Sequence, residues 1–148
     1  MTLKGTYSLP ARRQKVWDAL LDPGVLARTL PGCKSLEAVG PDEYRMNMAL
    51  AISSLKGVFE GKVRIEDQQP PESYRLTVQG RGKIGFVNGG GSFLLRESDD
   101  AVTEIEYQGD VKAGGTIASV GQRLMNMTSK MMIKRFFTAL EKELTAPG

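Results

Sequence analysis

The sequence predicts an α+β domain: a seven-stranded antiparallel sheet curled around one long C-terminal helix, in the order β-α-α-β6-α. Three observations predict it. Apolar residues alternate with charged or polar ones in segment after segment, the period of strands with one buried and one wet face. Apolar residues at helical spacing occupy two places, directly after the first strand and throughout the C-terminal segment. A one-sided sheet with a single long helix to cover it closes by curling around that helix. The 148 residues, 41% hydrophobic and 25% charged, suit one globular domain over 1–148.

Each element follows from its residues. Leu3, Gly5, Tyr7 and Leu9 alternate with polar neighbours until Pro10 stops the strand. Arg13, Val16, Trp17, Leu20 and Leu21 then recur at helical spacing. Asp22-Pro23 supplies an N-cap and a first-turn proline for a short second helix, whose apolar side is Val25, Leu26 and Leu30. Pro31-Gly32 ends it. Residues 35–39 form a short, weakly marked strand. Clear strands follow at Tyr44 to Ile52, Phe59 to Glu66, Tyr74 to Gln79 and Glu104 to Val111.

Residues 86–98 make another strand, interrupted by Gly89-Gly90-Gly91. A turn at Asp99-Asp100-Ala101 sets Phe93 opposite Tyr107 and Leu95 opposite Ile105, with all four on one side. The same register brings the glycines near Gly109, where missing side chains let a sheet bend or let something approach its backbone. From Gly115 to about Leu144 the pattern is one helix, ~45 Å long at ~1.5 Å per residue. Its stripe is Ile117, Val120, Leu124, Met127 and Met131, continued after a shift by Ile133, Phe137, Leu140 and Leu144. Met125, Met132 and Phe136 lie off the stripe, so the apolar face is wide.

Composition narrows the chemistry. There is no histidine, which removes Ser-His-Asp and Cys-His activation and nearly all catalytic zinc sites. No carboxylate cluster or EF-hand spacing offers a metal site. The lone Cys33 cannot form an internal disulfide and has no histidine to activate it, so it reads as a packing residue. No apolar run spans a bilayer and the N-terminus lacks a signal core, so a cytoplasmic location is expected. The net charge of +3 is uneven: residues 1–34 carry +4, 35–114 carry −4 and 115–148 carry +3. No basic run is long or interleaved with aromatics, so no nucleic-acid partner is expected. Gly80-Arg81-Gly82-Lys83-Ile84-Gly85 matches G-x-G-x-x-G by letter, but a strand rather than a helix follows. A wide turn is the expected structure there.

Longer motifs carry a resemblance. GTYSLPA (5–11), VWDALLDP (16–23), LPGC (30–33), KGVFEG (56–61), GFVNG (85–89) and GGTIASVG (114–121) together resemble the G-subunit family of carbon monoxide dehydrogenase. That family lies within the START-like (SRPBCC, helix-grip) superfamily. Thr116-Ile117 and Val120 depart from the family's usual residues by apolar or small swaps. The resemblance implies an apolar cavity between sheet and C-terminal helix and an accessory role without catalysis. It further implies recruitment of a molybdenum-containing carbon monoxide dehydrogenase or related hydroxylase to the membrane, through handling of a lipid or quinone.

The expected ligand site joins the inward sheet residues Met46, Met48, Phe59, Tyr74, Leu76, Phe93, Leu95 and Tyr107 to the helix residues Ile117, Val120, Leu124, Met127 and Met131. Methionine adapts to varied apolar shapes, and ligand pockets are mostly apolar with a few orienting polar groups. Tyr74 and Tyr107 are the candidate orienting hydroxyls, the alternative being half-buried core tyrosines. No catalytic residue, metal or cofactor is expected. Lys130, Lys134 and Arg135, with Arg12, Arg13 and Lys15, are available for reversible contact with an anionic membrane surface or an acidic partner. The alternatives are a START-like cyclase or hydrolase, which needs an acid or base aimed into the cavity, and an interaction domain with a filled core.

Overall fold

A computed structural model describes residues 1–146. Strand β1 (Thr2–Leu9) leads into helices α1 (Arg13–Leu20) and α2 (Pro23–Thr29). Six strands follow: β2 (Cys33–Gly40), β3 (Glu43–Ile52), β4 (Leu55–Gln69), β5 (Ser73–Gly82), β6 (Gly85–Glu97) and β7 (Thr103–Gly114). A 3₁₀ turn (Thr116–Val120) precedes the last helix, α3 (Gln122–Thr145). All strands belong to one antiparallel sheet in the order β1-β7-β6-β5-β4-β3-β2. Helices α1 and α2 carry the chain from one sheet edge to the other, and α3 lies within the curl. This is the START-like helix-grip architecture that the resemblance implies.

Local chemistry sets most boundaries. The Asp22 carboxylate accepts from the Gly24 amide at 2.8 Å, so α2 starts on its expected cap with Pro23 in the first turn. In the β6–β7 hairpin Phe93 pairs with Tyr107 and Leu95 with Ile105, the predicted register. Gly91 sits opposite Gly109.

Two expectations are corrected. The segment around Gly80–Gly85 is no wide turn: β5 and β6 pair up to Gly82 and Gly85, leaving only Lys83 and Ile84 between them. Gly85 makes this possible with φ of 131°, a conformation that side chains resist. Nor is the C-terminal segment one helix from Gly115. Gly115 and Gly121, at φ of 80° and 93°, bracket the 3₁₀ turn and delay α3 to Gln122. Its 24 residues span ~36 Å.

The interior holds two separate apolar clusters. The larger joins Leu9, Val16, Trp17, Leu20, Ile65, Leu95, Ile105, Phe137, Leu140 and Leu144. Phe137 is its hub, stacked on Tyr7 at 4.9 Å and packed against Phe93, Tyr107 and Phe136. The smaller joins Ile52, Phe59 and Ile117, with Leu50, Ile84, Val87, Ala113, Val120, Leu124 and Met125 against it. The Lys15 ammonium donates to the Leu144 carbonyl at 2.7 Å, closing the far end of α3. Arg28 donates twice to Glu143, at 2.7 and 3.1 Å, tying α2 to α3.

Candidate ligand-binding site

Between the two clusters the inner face is hollow. Along β6 the inward residues run from Leu95 and Phe93 through Gly91 and Gly89 to Val87. Along β7 they run from Ile105 and Tyr107 through Gly109 and Val111 to Ala113. In both strands the first members belong to or pack on the larger cluster and the last pack on the smaller one. On α3, Phe137 belongs to the larger cluster and Met125 packs on the smaller, with Met132, Ile133 and Phe136 between. Those intermediate residues line a cavity of about 390 Å³, within the ~300–1,000 Å³ range of small-molecule sites. Leu26, Leu30 and Pro31 from α2 and its exit, with Leu36, Met46 and Met48, wall the opposite side.

Glycine makes the room. Gly91 and Gly109 face each other across the β6–β7 ladder on the inner side, so neither contributes a side chain. The strands also approach closely there: a Cβ on Gly91 would sit 2.6 Å from the Gln108 carbonyl oxygen. The glycine run in the sequence thus marks the right position, and the missing side chains become the cavity floor.

Six of the expected residues converge on the cavity: Met46, Met48, Tyr74, Leu76, Phe93 and Tyr107. The others do not. Leu95 is sealed in the larger cluster, and Phe59 and Ile117 in the smaller, with Val120 and Leu124 against it. Met127 and Met131 point outward, 59% and 45% exposed. A stripe projected from Ile117 and Val120 assumes a continuous helix, but the break at Gly121 resets the phase. Within α3 itself, at ~100° per residue, Met127 and Met131 are turned away from Met132 and Phe136. The off-stripe Met132 and Phe136 are the sequence signal of the true inner face, since the apolar face is too wide for one seam. Leu3, Tyr44, Val63, Ile65 and Val78 also line the hollow. Their inward period is legible in the sequence, but nothing local separates a cavity wall from a core.

The polar groups on the wall are few. The Tyr44 hydroxyl donates to the Leu21 carbonyl at 3.3 Å. Burial pushes its pKa up, helped by Asp42 and Asp22. Burial raises Tyr74 much further, with Tyr44 adding to it. Both phenols are therefore neutral hydrogen-bonding groups. Asp110 sits where the cavity adjoins a second, polar groove of about 470 Å³ beside Asn88, Lys112 and Gln122. Cys33 lies outside the cavity; its thiol contacts the Ser35 carbonyl at 3.5 Å, and burial raises its pKa. Among the described residues, no three His, Cys, Asp or Glu side chains converge as a metal site, and no helix is long and apolar enough to cross a membrane.

A sheet gripping a helix across an apolar hollow defines a START-like protein with the geometry of a small-molecule container. The more particular assignment comes from sequence. The chain belongs to the CoxG family, the G-subunit family of carbon monoxide dehydrogenase, which matches residues 5–145. A conserved protein from Geobacillus kaustophilus is 34% identical, with 97% of this chain and 95% of that one covered and a TM-score of 0.93. A START superfamily protein from Mycobacterium smegmatis shares the fold at 13% identity and TM-score 0.73, covering 97% of this chain and 96% of that one. The Zhui aromatase/cyclase from a Streptomyces species does so at 12% and 0.73, covering 97% and 93%. No curated protein matches the chain in sequence.

Proposed function

We propose that this protein is a non-catalytic carrier that holds an elongated apolar ligand, a lipid or quinone, between sheet and α3. In this reading it serves a molybdenum-containing hydroxylase of the carbon monoxide dehydrogenase type and works in peripheral contact with a membrane. One observation carries the container reading: the ~390 Å³ hollow separates two packed clusters and is walled almost wholly by apolar side chains. Such a wall binds through burial, at ~25 cal/mol per Å² before ordering costs. Family membership supports the accessory role. The outward face of α3 supports the membrane contact: Arg123, Lys130, Lys134, Arg135 and Lys142 are exposed around Met127 and Met131. Arg12 and Lys15 are less available, being engaged with Glu97 at 3.7 Å and the Leu144 carbonyl.

Native mass spectrometry of the purified protein tests the carrier. A co-purifying lipid or quinone is expected. Leu76→Trp, projecting into the hollow, should remove that adduct with a stability change of no more than ~3 kcal/mol. Met127→Trp, on the outside, should keep it. Repeated preparations with no adduct would overturn the reading.

A further inference from the structure

We infer that Tyr74 is the polar anchor of the cavity, its hydroxyl donating a hydrogen bond to the carbonyl oxygen of a neutral, otherwise apolar ligand. This rests on the container reading and specifies the chemistry the container selects. Tyr74 is 3% exposed, and its ring packs edge-on with Trp17 at 5.4 Å and tilted against Phe93 at 5.3 Å. These ring contacts fix where the hydroxyl sits.

Among the described residues, no protein group accepts or donates a hydrogen bond at the Tyr74 oxygen. Yet no described side-chain nitrogen or oxygen is both sealed from space and unpartnered. The Tyr74 oxygen therefore keeps part of the residue's small accessible surface, and Tyr74 is a lining residue of the cavity. A buried hydroxyl with an unused proton is costly until something supplies an acceptor.

The neighbouring hydroxyls do not duplicate it. Tyr44 commits its proton to the Leu21 carbonyl. Tyr107 lies across Gly5 beside the edge strand and is only half-buried. Burial keeps the Tyr74 phenol protonated, so it acts as a donor. The wall also dictates the ligand's charge. No Lys or Arg side chain lines the cavity among the described residues, and the Asp110 carboxylate accepts from the Thr2 hydroxyl at 2.7 Å on the exposed outer face. An ionised fatty acid would lose its hydration there with no cation to meet it. A ketone, ester or quinone-type carbonyl needs only the donor that Tyr74 offers.

The test pairs two probes of one skeleton, 2-acetylnaphthalene and 2-ethylnaphthalene, which differ by a carbonyl in place of a methylene. Titration calorimetry on the wild-type chain and Tyr74→Phe gives the ratio of their affinities in each. The ratio should fall about 3- to 10-fold toward the hydrocarbon in Tyr74→Phe, with 2-ethylnaphthalene binding unchanged because the ring contacts remain. The carbonyl infrared band of bound 2-acetylnaphthalene should lie at lower frequency in the wild type than in the variant. An unchanged ratio, or an unchanged band, would overturn the anchor while leaving the container intact. Failure of both probes to bind either protein would overturn the container reading and the anchor with it.

Discussion

The two ends of β6 show how one strand serves opposite purposes. At Leu95 and Phe93 it delivers bulky side chains into a cluster closed by Phe137, Leu140 and Leu144. A few residues earlier, Gly91 and Gly89 deliver none, and the space above them stays open under Met132 and Phe136. Both regions share a sheet, a register and a covering helix. Only side-chain volume differs. Most of the fully buried side chains lie at the end held by Phe137, and stability is expected to be concentrated there.

That contrast yields predictions of decreasing size. Phe137→Ala should cost ~3–5 kcal/mol, read as a lower urea midpoint, because it removes the ring that contacts Tyr7, Phe93, Tyr107 and Phe136. A loss below about 1 kcal/mol would mean the closed cluster is not where stability resides. Next, Gly91→Ala should cost ~1–3 kcal/mol, since its Cβ meets the Gln108 carbonyl oxygen and backbone must move. Gly90→Ala, whose Cβ would be 3.5 Å from the Leu76 oxygen, should cost much less. Equal thermal shifts for the pair would show that the close approach of β6 and β7 is not the constraint.

The smallest effect concerns the tie between α2 and α3. Hydrogen bonding to Arg28, reinforced by its charge, holds the Glu143 carboxyl below its usual range. A depressed carboxylate pKa stabilises the fold above the unfolded value and loses that contribution as pH falls through the folded one. Both side chains are solvated, so the effect should be slight. Glu143→Gln should make the acid limb of the stability profile marginally shallower, measured by melting temperature against pH.

Much of this is legible in the sequence because its causes are local. Alternation along β6 and β7 yields the Phe93–Tyr107 and Leu95–Ile105 pairs, since a slip of one residue would turn every apolar side chain outward. Asp22-Pro23 announces α2. The glycine run announces its own lack of side chains. The helix stripe fails for an equally physical reason: period 3.6 predicts a face only while the helix is unbroken, and Gly121 breaks it. Met127 and Met131 therefore fall on the outer side, against the expectation from spacing.

Seven strands, their inward residues, the β6–β7 hairpin register and a chemistry without histidine all follow from the order of residues alone. Which inward residues pack, and which stand around empty space, is settled only when the chain closes on itself. Tyr74 and Tyr107, Leu76 and Leu95 share one inward pattern. Yet Leu95 is sealed while the other three border the cavity. The distinction depends on what arrives from distant segments, Phe137 at one end and Ile117 at the other, with two glycines paired between them. Burial period is a local property of a strand, whereas a void is the sum of volumes contributed from every side.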